Sequence, residues 1–169
     1  MRYVIALLAF GGMFVSGLAL RVHYQDPSAA PPCAVTEHFD CGAVNHSRFA
    51  VFPPRTFDEA PNSKGHVPVA LIGIFGYAVI AGFALWGRLW VVLQLAQIGF
   101  FCAALLTYLE AYVLEKWCIY CLWSQCIVAT ILLVTAGTLL VRWRQRRVPG
   151  NPARAEALNR NTGELLGGR

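Results

Sequence analysis

The sequence predicts an all-α integral membrane protein, a bundle of four transmembrane helices, and three observations carry that reading. Of 169 residues, 57% are hydrophobic and 14% are charged, where soluble domains average about 45–50% and about 25%. Four segments hold no charged residue at all: Tyr3–Leu20, Val69–Trp86, Leu89–Leu109 and Trp117–Val141, of 18, 18, 21 and 25 residues. A hydrocarbon core ~30 Å thick takes about 20 helical residues to cross, so each segment is long enough. The alternating segments of about ten residues that build a membrane β-barrel are not present.

One membrane domain is expected over residues 1–141, with spans near 3–20, 69–86, 89–109 and 117–141 and a long loop at 21–68. A polar tail rich in Arg, Asn and Gly follows at 142–169 and is predicted to be disordered. The first span reads as a retained helix: its 18 uncharged residues exceed the roughly 7–15 of a cleaved signal peptide, and no clear A-x-A site follows. Net charge is +5, with Arg2 before the first span, Arg88 between the second and third, and Arg142, Arg144, Arg146 and Arg147 after the last. Basic residues concentrate on cytoplasmic flanks, which puts both termini inside and the 21–68 loop outside an inner (cytoplasmic) membrane. The basic excess therefore describes topology, and nucleic acid is not expected as a partner.

Smaller features fill in the frame. Trp86, Trp90, Trp117 and Trp143 fall near span ends, as interfacial aromatics do, and Trp123 is expected inside the bundle. The loop carries turn formers at Asp26-Pro27, Pro31-Pro32, Pro53-Pro54, Pro61-Asn62 and Lys64-Gly65, and helical spacing predicts a short helix from Cys41 to Phe52. Pro68 suits the first turn of the second span, and Gly73, Gly76, Ala78 and Gly82 permit close helix approach. Gln94 and Gln97 are expected to bond between helices. Glu110 has two readings, snorkelling to water or tuning the protonation of a nearby site. His23 and His66 have no evident partners.

The cysteines carry the chemistry. Cys33 and Cys41 lie in the loop, Cys118 and Cys121 form a C-x-x-C where the fourth span begins, and Cys102 and Cys126 read as small packing residues within spans. An extracytoplasmic compartment favours disulfides over free thiols. At a helix start the dipole and free N–H groups stabilise a thiolate at Cys118, and Cys121 lies one turn on, within bonding reach. That pair sits at the bilayer boundary, open to a two-electron acceptor dissolved in lipid such as a quinone, while a loop pair can meet a water-soluble protein. Two pairs in two phases describe a relay by thiol–disulfide exchange. Other readings are a structural loop disulfide on a non-enzymatic tetraspan scaffold, and a zinc site at Cys33, His38, Cys41 and His46, whose spacings do not match a finger.

Cys33-x7-Cys41, then Val44, Ser47 and Arg48, Pro68-Val69-Ala70-Leu71-Ile72-Gly73 with Gly76-Tyr77, and Trp117-Cys118-Ile119-Tyr120-Cys121 together resemble the vitamin K epoxide reductase family. The resemblance runs from Cys33 to the end of span four. It implies a four-helix bundle around a quinone, ubiquinone or menaquinone, capped by the outer redox loop. It further implies that Cys33 and Cys41 are the shuttle pair, that Cys41 attacks Cys118, that Cys121 faces the quinone, and that Ser47 is a polar neighbour of the active pair. The bacterial branch oxidises thioredoxin-like partners to make disulfides; with no fused thioredoxin domain in this chain, a separate thioredoxin-fold protein is the expected partner. Two positions depart from the vertebrate pattern. Gln125 replaces a tyrosine four residues after Cys121; about 40° round the helix from that cysteine, it is expected to face the site and bond a quinone carbonyl. Ile72 falls near a quinone-binding asparagine, which favours a plain quinone over vitamin K epoxide. Another quinone-linked disulfide-generating family with four helices carries its C-x-x-C in the first outer loop, the reverse of the order here.

Overall fold

The computed structural model describes residues 1–26, 33, 36, 38–56, 58 and 65–147. Five α-helices dominate them: α1 Arg2–Tyr24, α2 Cys41–Asn45, α3 Val69–Leu85, α4 Leu89–Leu109 and α5 Ile119–Arg147. A 3-10 turn at Arg48–Ala50 and two short strands, β1 Val51–Phe52 and β2 Val67–Pro68, complete the loop region, and a π-helical turn, Glu110–Leu114, extends α4. Three helical stretches are long and apolar enough to cross a membrane, Arg2–Tyr24, Leu89–Leu114 and Ile119–Gln145, and α3 is a shorter apolar helix of 17 residues. The chain divides into two units, Met1–Ala136 and Gly137–Arg169. The described part of the second is the closing turns of α5, so residues 142–147 are helical where the sequence predicted a disordered tail; the rest of that tail lies outside the described residues.

Membrane helices have no water to drive their large apolar side chains inward, so close approach of small residues decides which face is interior. In α1 the buried positions are Ile5, Ala6, Ala9, Gly12, Ser16, Ala19 and Val22, a stripe at helical spacing composed mostly of small residues. Leu7, Phe10 and Phe14 point the other way and are exposed. The stripe packs on α3. A Cβ on Gly12 would stand 2.5 Å from the Tyr77 ring, and one on Gly73 would stand 3.1 Å from the Ser16 hydroxyl oxygen, so each helix supplies a glycine where the other presents a side chain.

The turn from α3 to α4 reverses at Gly87, whose φ of +79° lies in the left-handed region that glycine adopts without steric cost. The Gly87 and Arg88 N–H groups close that turn on the carbonyls of Ala84 and Phe83, each at 3.0 Å. Helix α5 is joined to its neighbours by polar contacts: the Tyr77 hydroxyl donates to the Ser124 carbonyl at 2.7 Å, and the Thr107 hydroxyl meets the Gln125 side-chain amide. Gly99 of α4 faces Val128 of α5.

Several expectations are corrected by the direction of side chains. Trp123 is 63% exposed, not inside the bundle. Gln94 and Gln97 are exposed on α4 rather than set between helices. Cys102 and Cys126 are exposed free cysteines rather than packing residues. All lie on helices apolar on every side, where the sequence contains no signal for which side faces protein. The expected helix from Cys41 to Phe52 stops at Asn45, because Ser47 turns extended and Val51–Phe52 pairs antiparallel with Val67–Pro68. That pairing ties the loop to the start of α3. Of the predicted loop turns, Pro31-Pro32 and Pro61-Asn62 lie outside the described residues, as do Pro27 and Lys64. His23 and His66 do have partners: their Nδ1 atoms lie 2.6 Å from the Asn45 carbonyl and 2.8 Å from the Pro53 carbonyl.

Candidate functional site

The two cysteine-bearing segments are stitched together by backbone. Trp117 N–H donates to the His38 carbonyl at 2.8 Å and Asp40 N–H donates to the Trp117 carbonyl at 3.1 Å, so the residue before Cys41 is fastened to the residue before Cys118. Asp40 then starts α2, its side chain accepting from Ala43 N–H at 3.0 Å as an N-cap. Cys118 stands just ahead of α5, and its carbonyl accepts from Leu122 N–H at 3.1 Å. These two helix starts bring Cys33, Cys41 and Cys118 into one buried cluster with Val22 and Val44, against which Cys121, Leu114 and Tyr120 pack. Cys33 and Cys41 form a disulfide with Cα atoms 5.8 Å apart, and Cys118 and Cys121 are free thiols.

Two polar side chains bracket Cys118. Asn45 is buried at the end of α2; its Nδ2 donates to the Cys41 carbonyl at 2.9 Å and lies 3.6 Å from Cys118 Sγ. It therefore touches both cysteine pairs. From the opposite side, Glu110 Oε2 accepts from Cys118 N–H at 3.0 Å. Glu110 is only 2% exposed, which settles its two readings against snorkelling to water. The Cys118 thiol, outside the membrane span that starts at Ile119, is held below its ordinary pKa, chiefly because the Cys121 side chain hydrogen-bonds its charged form, with burial opposing.

Beside the cluster a cavity of about 320 Å³ opens between α1, α3, α4 and α5, with α2 and the 3-10 turn contributing to its wall. Apolar side chains such as Leu95, Ile98, Leu106 and Val128 line it, with Ser16, Asn45, Ser47, Tyr77, Glu110 and Cys121 among its polar groups. Ser47 and Ile72 are both in the wall, as is Cys102. Gln125 is not: its amide is taken by Thr107, so the structure braces α4 against α5 at the position expected to face a ligand. Among the described residues no group of three or more His, Cys, Asp or Glu is arranged for a metal, and His46 turns its ring nitrogens toward the carbonyls of Gly42 and Gln25, at 2.8 and 3.1 Å.

Sequence reasoning missed Asn45 and gave Tyr77 no part in the site. The first had a legible signal, since an amide four residues after Cys41 shares its helical face. Tyr77 enters the wall because its ring lies over Gly12 on a different helix, which no local pattern encodes.

Helices of membrane length that gather four cysteines, one pair bonded and one free, beside an apolar cavity define a class: multi-pass membrane thiol–disulfide proteins. The chain belongs to the vitamin K epoxide reductase family, whose sequence model matches residues 3–136. Comparison with curated proteins finds no match. Membership makes the chain an oxidoreductase of the membrane, in a family whose chemistry is disulfide and quinone redox.

Proposed function

We propose that this protein passes electrons from a thioredoxin-fold protein outside the membrane, through Cys33 and Cys41, to Cys118 and Cys121, and from there to a quinone, supporting disulfide formation. The observation that carries the reading is the single cluster of the loop disulfide and the C-x-x-C, with Cys121 opening onto the apolar cavity. The cavity suits a quinone ring: about 320 Å³ lies in the range of small-molecule pockets, and its lining is apolar with few polar groups, Cys121 among them. Ser47 and Ile72 would flank such a ring, and Tyr77 would close one side. In this reading α3 is the fourth span of a four-helix domain over residues 1–141, the loop forms a lid outside an inner membrane, and both termini are cytoplasmic. Ubiquinone and menaquinone both fit the chemistry.

A partner dithiol attacks the Cys33–Cys41 disulfide through a mixed disulfide, leaving the partner oxidised and the loop pair reduced. Cys41 thiolate then attacks Cys118 Sγ of a Cys118–Cys121 disulfide, and Cys121 leaves as thiolate. Cys33 resolves the Cys41–Cys118 bond, which restores the loop disulfide and reduces the C-x-x-C. A quinone, when bound, accepts two electrons and two protons as Cys118 and Cys121 close again.

The test is turnover of a soluble quinone by purified protein, followed by absorbance, with either a reduced thioredoxin-fold protein or a small dithiol as donor. Cys33→Ala is expected to lose turnover with the protein donor and keep it with the small dithiol. Equal activity of Cys33→Ala with both donors would return the loop pair to the role of a structural staple. A second prediction concerns Asn45. A hydrogen bond to a charged group is worth about 1.5–3 kcal/mol, so Asn45→Ala should slow maleimide alkylation of Cys118 at fixed pH by roughly tenfold or more. An unchanged alkylation rate would remove Asn45 from the site.

A further inference from the structure

We propose that Glu110 is the proton carrier between the C-x-x-C and the cavity: its carboxylate takes up thiol protons as Cys118 and Cys121 are oxidised and delivers them to the oxygens of the bound acceptor. The inference rests on the quinone reading of the cavity. Oxidation of two thiols releases two protons, and reduction of a quinone takes up two.

Position argues for Glu110. Acidic side chains are almost never fully buried without a partner, yet Glu110 is 2% exposed and its Oε1 has no hydrogen-bond partner among the described residues. The other oxygen, Oε2, is held by Cys118 N–H at 3.0 Å. Oε2 is thus anchored to Cys118, and the carboxyl lies against the Cys121 side chain, on a residue that shares the cavity wall with Cys121. The backbone is shaped to this end. The α-helical ladder of α4 gives way at Glu110 to the π-helical turn Glu110–Leu114, Glu115 takes a left-handed φ of 51°, and Lys116 N–H bonds the Glu110 carbonyl at 3.2 Å. Single π-helical turns of this kind gather at functional sites.

Tyr77 and Asn45, which share the wall, are less suited to the task. The Tyr77 hydroxyl donates to the Ser124 carbonyl at 2.7 Å, and Asn45 has no acid proton. The titratable side chains lining the cavity with Glu110 are Cys121 of α5, Tyr77 of α3 and Cys102 of α4, and α1 contributes only the Ser16 hydroxyl as a polar group. The step balances. Two S–H bonds are lost and one S–S bond forms, two electrons pass to the quinone, and two O–H bonds form on it. Each proton crosses by way of the carboxyl, which ends the cycle as it began.

Glu110→Gln keeps the shape and an acceptor for Cys118 N–H but cannot carry a proton. It should lower kcat for quinone reduction by about 10²-fold, the usual scale of a general acid–base group, with KM for the quinone within about twofold and exchange of the loop disulfide with a small dithiol unchanged. Glu110→Asp, with its carboxyl on a shorter arm, should recover part of the rate; a purely structural role would leave Asp no better than Gln. A second readout needs no quinone. Maleimide labelling of the reduced protein at a series of pH values, assigned to Cys118 and Cys121 by peptide fragmentation, should show one ionisation more in the wild type than in Glu110→Gln, where only the two coupled thiols titrate. Wild-type kcat in Glu110→Gln, or superimposable labelling profiles, would overturn the proposal. A wild type whose labelling loses an ionisation in Glu110→Gln yet that never reduces quinone would instead overturn the quinone reading and leave Glu110 as a group coupled to the thiols.

Discussion

Replacing Cys121 with alanine is expected to abolish quinone reduction with every donor, a fall of roughly 10³-fold or more, because no other thiol can close the bond that releases two electrons. Cys102 and Cys126 are no substitute, since neither belongs to the buried cluster that holds Cys33, Cys41 and Cys118. The same geometry predicts a covalent product. The double variant Cys33→Ser/Cys121→Ser retains only Cys41 and Cys118 of the four, and these are held side by side by the backbone bonds between residues 38–40 and Trp117. Mild oxidation should convert it to a single Cys41–Cys118 disulfide, read by differential alkylation and peptide mass spectrometry. Substituting Cys118 as well should remove that product. If the double variant stays fully reduced, or bonds through Cys102 or Cys126, then Cys41 is not the residue that exchanges with the C-x-x-C.

What the sequence discloses about this molecule follows from how each feature is encoded. Helix α4 spans Leu89–Leu109, the limits set by its uncharged run, because charge at each end of an apolar segment is a local signal. The start of α5 one residue into the C-x-x-C is legible for the same reason, since the change from Glu115-Lys116 to an uncharged stretch marks it. The loop pair and the C-x-x-C were recognisable because four cysteines in this order leave few chemical alternatives. Orientation was not legible. In a soluble helix the polar face identifies the outside, but Trp123, Gln94, Gln97, Cys102 and Cys126 sit on helices that are apolar on every side, so no polar face marks the outside. Glu110 shows the other limit. Its burial depends on a π-helical turn and on a backbone N–H eight residues later, and neither is written in a periodicity.

Gly12 is where packing and site meet, and a side chain there should be among the most damaging substitutions outside the cysteines. Its ideal Cβ would stand 2.5 Å from two atoms of the Tyr77 ring. The ring has little room to yield: Tyr77 is buried, and its hydroxyl is bound to the carbonyl and hydroxyl of Ser124 at 2.7 and 2.9 Å. Gly12→Leu must therefore part α1 from α3 or drive the ring off Ser124. Overpacking of this kind costs about 1–3 kcal/mol and occasionally more, and the upper end is expected because the obstacle is a tethered aromatic ring rather than a flexible chain end. Gly11→Leu is the matched control, since a Cβ at Gly11 meets nothing within 4 Å. Thermal inactivation in detergent should separate the two, with Gly12→Leu lower by about 3 kcal/mol and Gly11→Leu close to wild type. Because Tyr77 also lines the cavity, the milder Gly12→Ala should raise KM for the quinone while disulfide exchange at Cys33 and Cys41 continues. Equal losses from Gly11→Leu and Gly12→Leu would mean that α1 does not meet α3 through this face, and the cavity wall built from Ser16 and Tyr77 would fall with it.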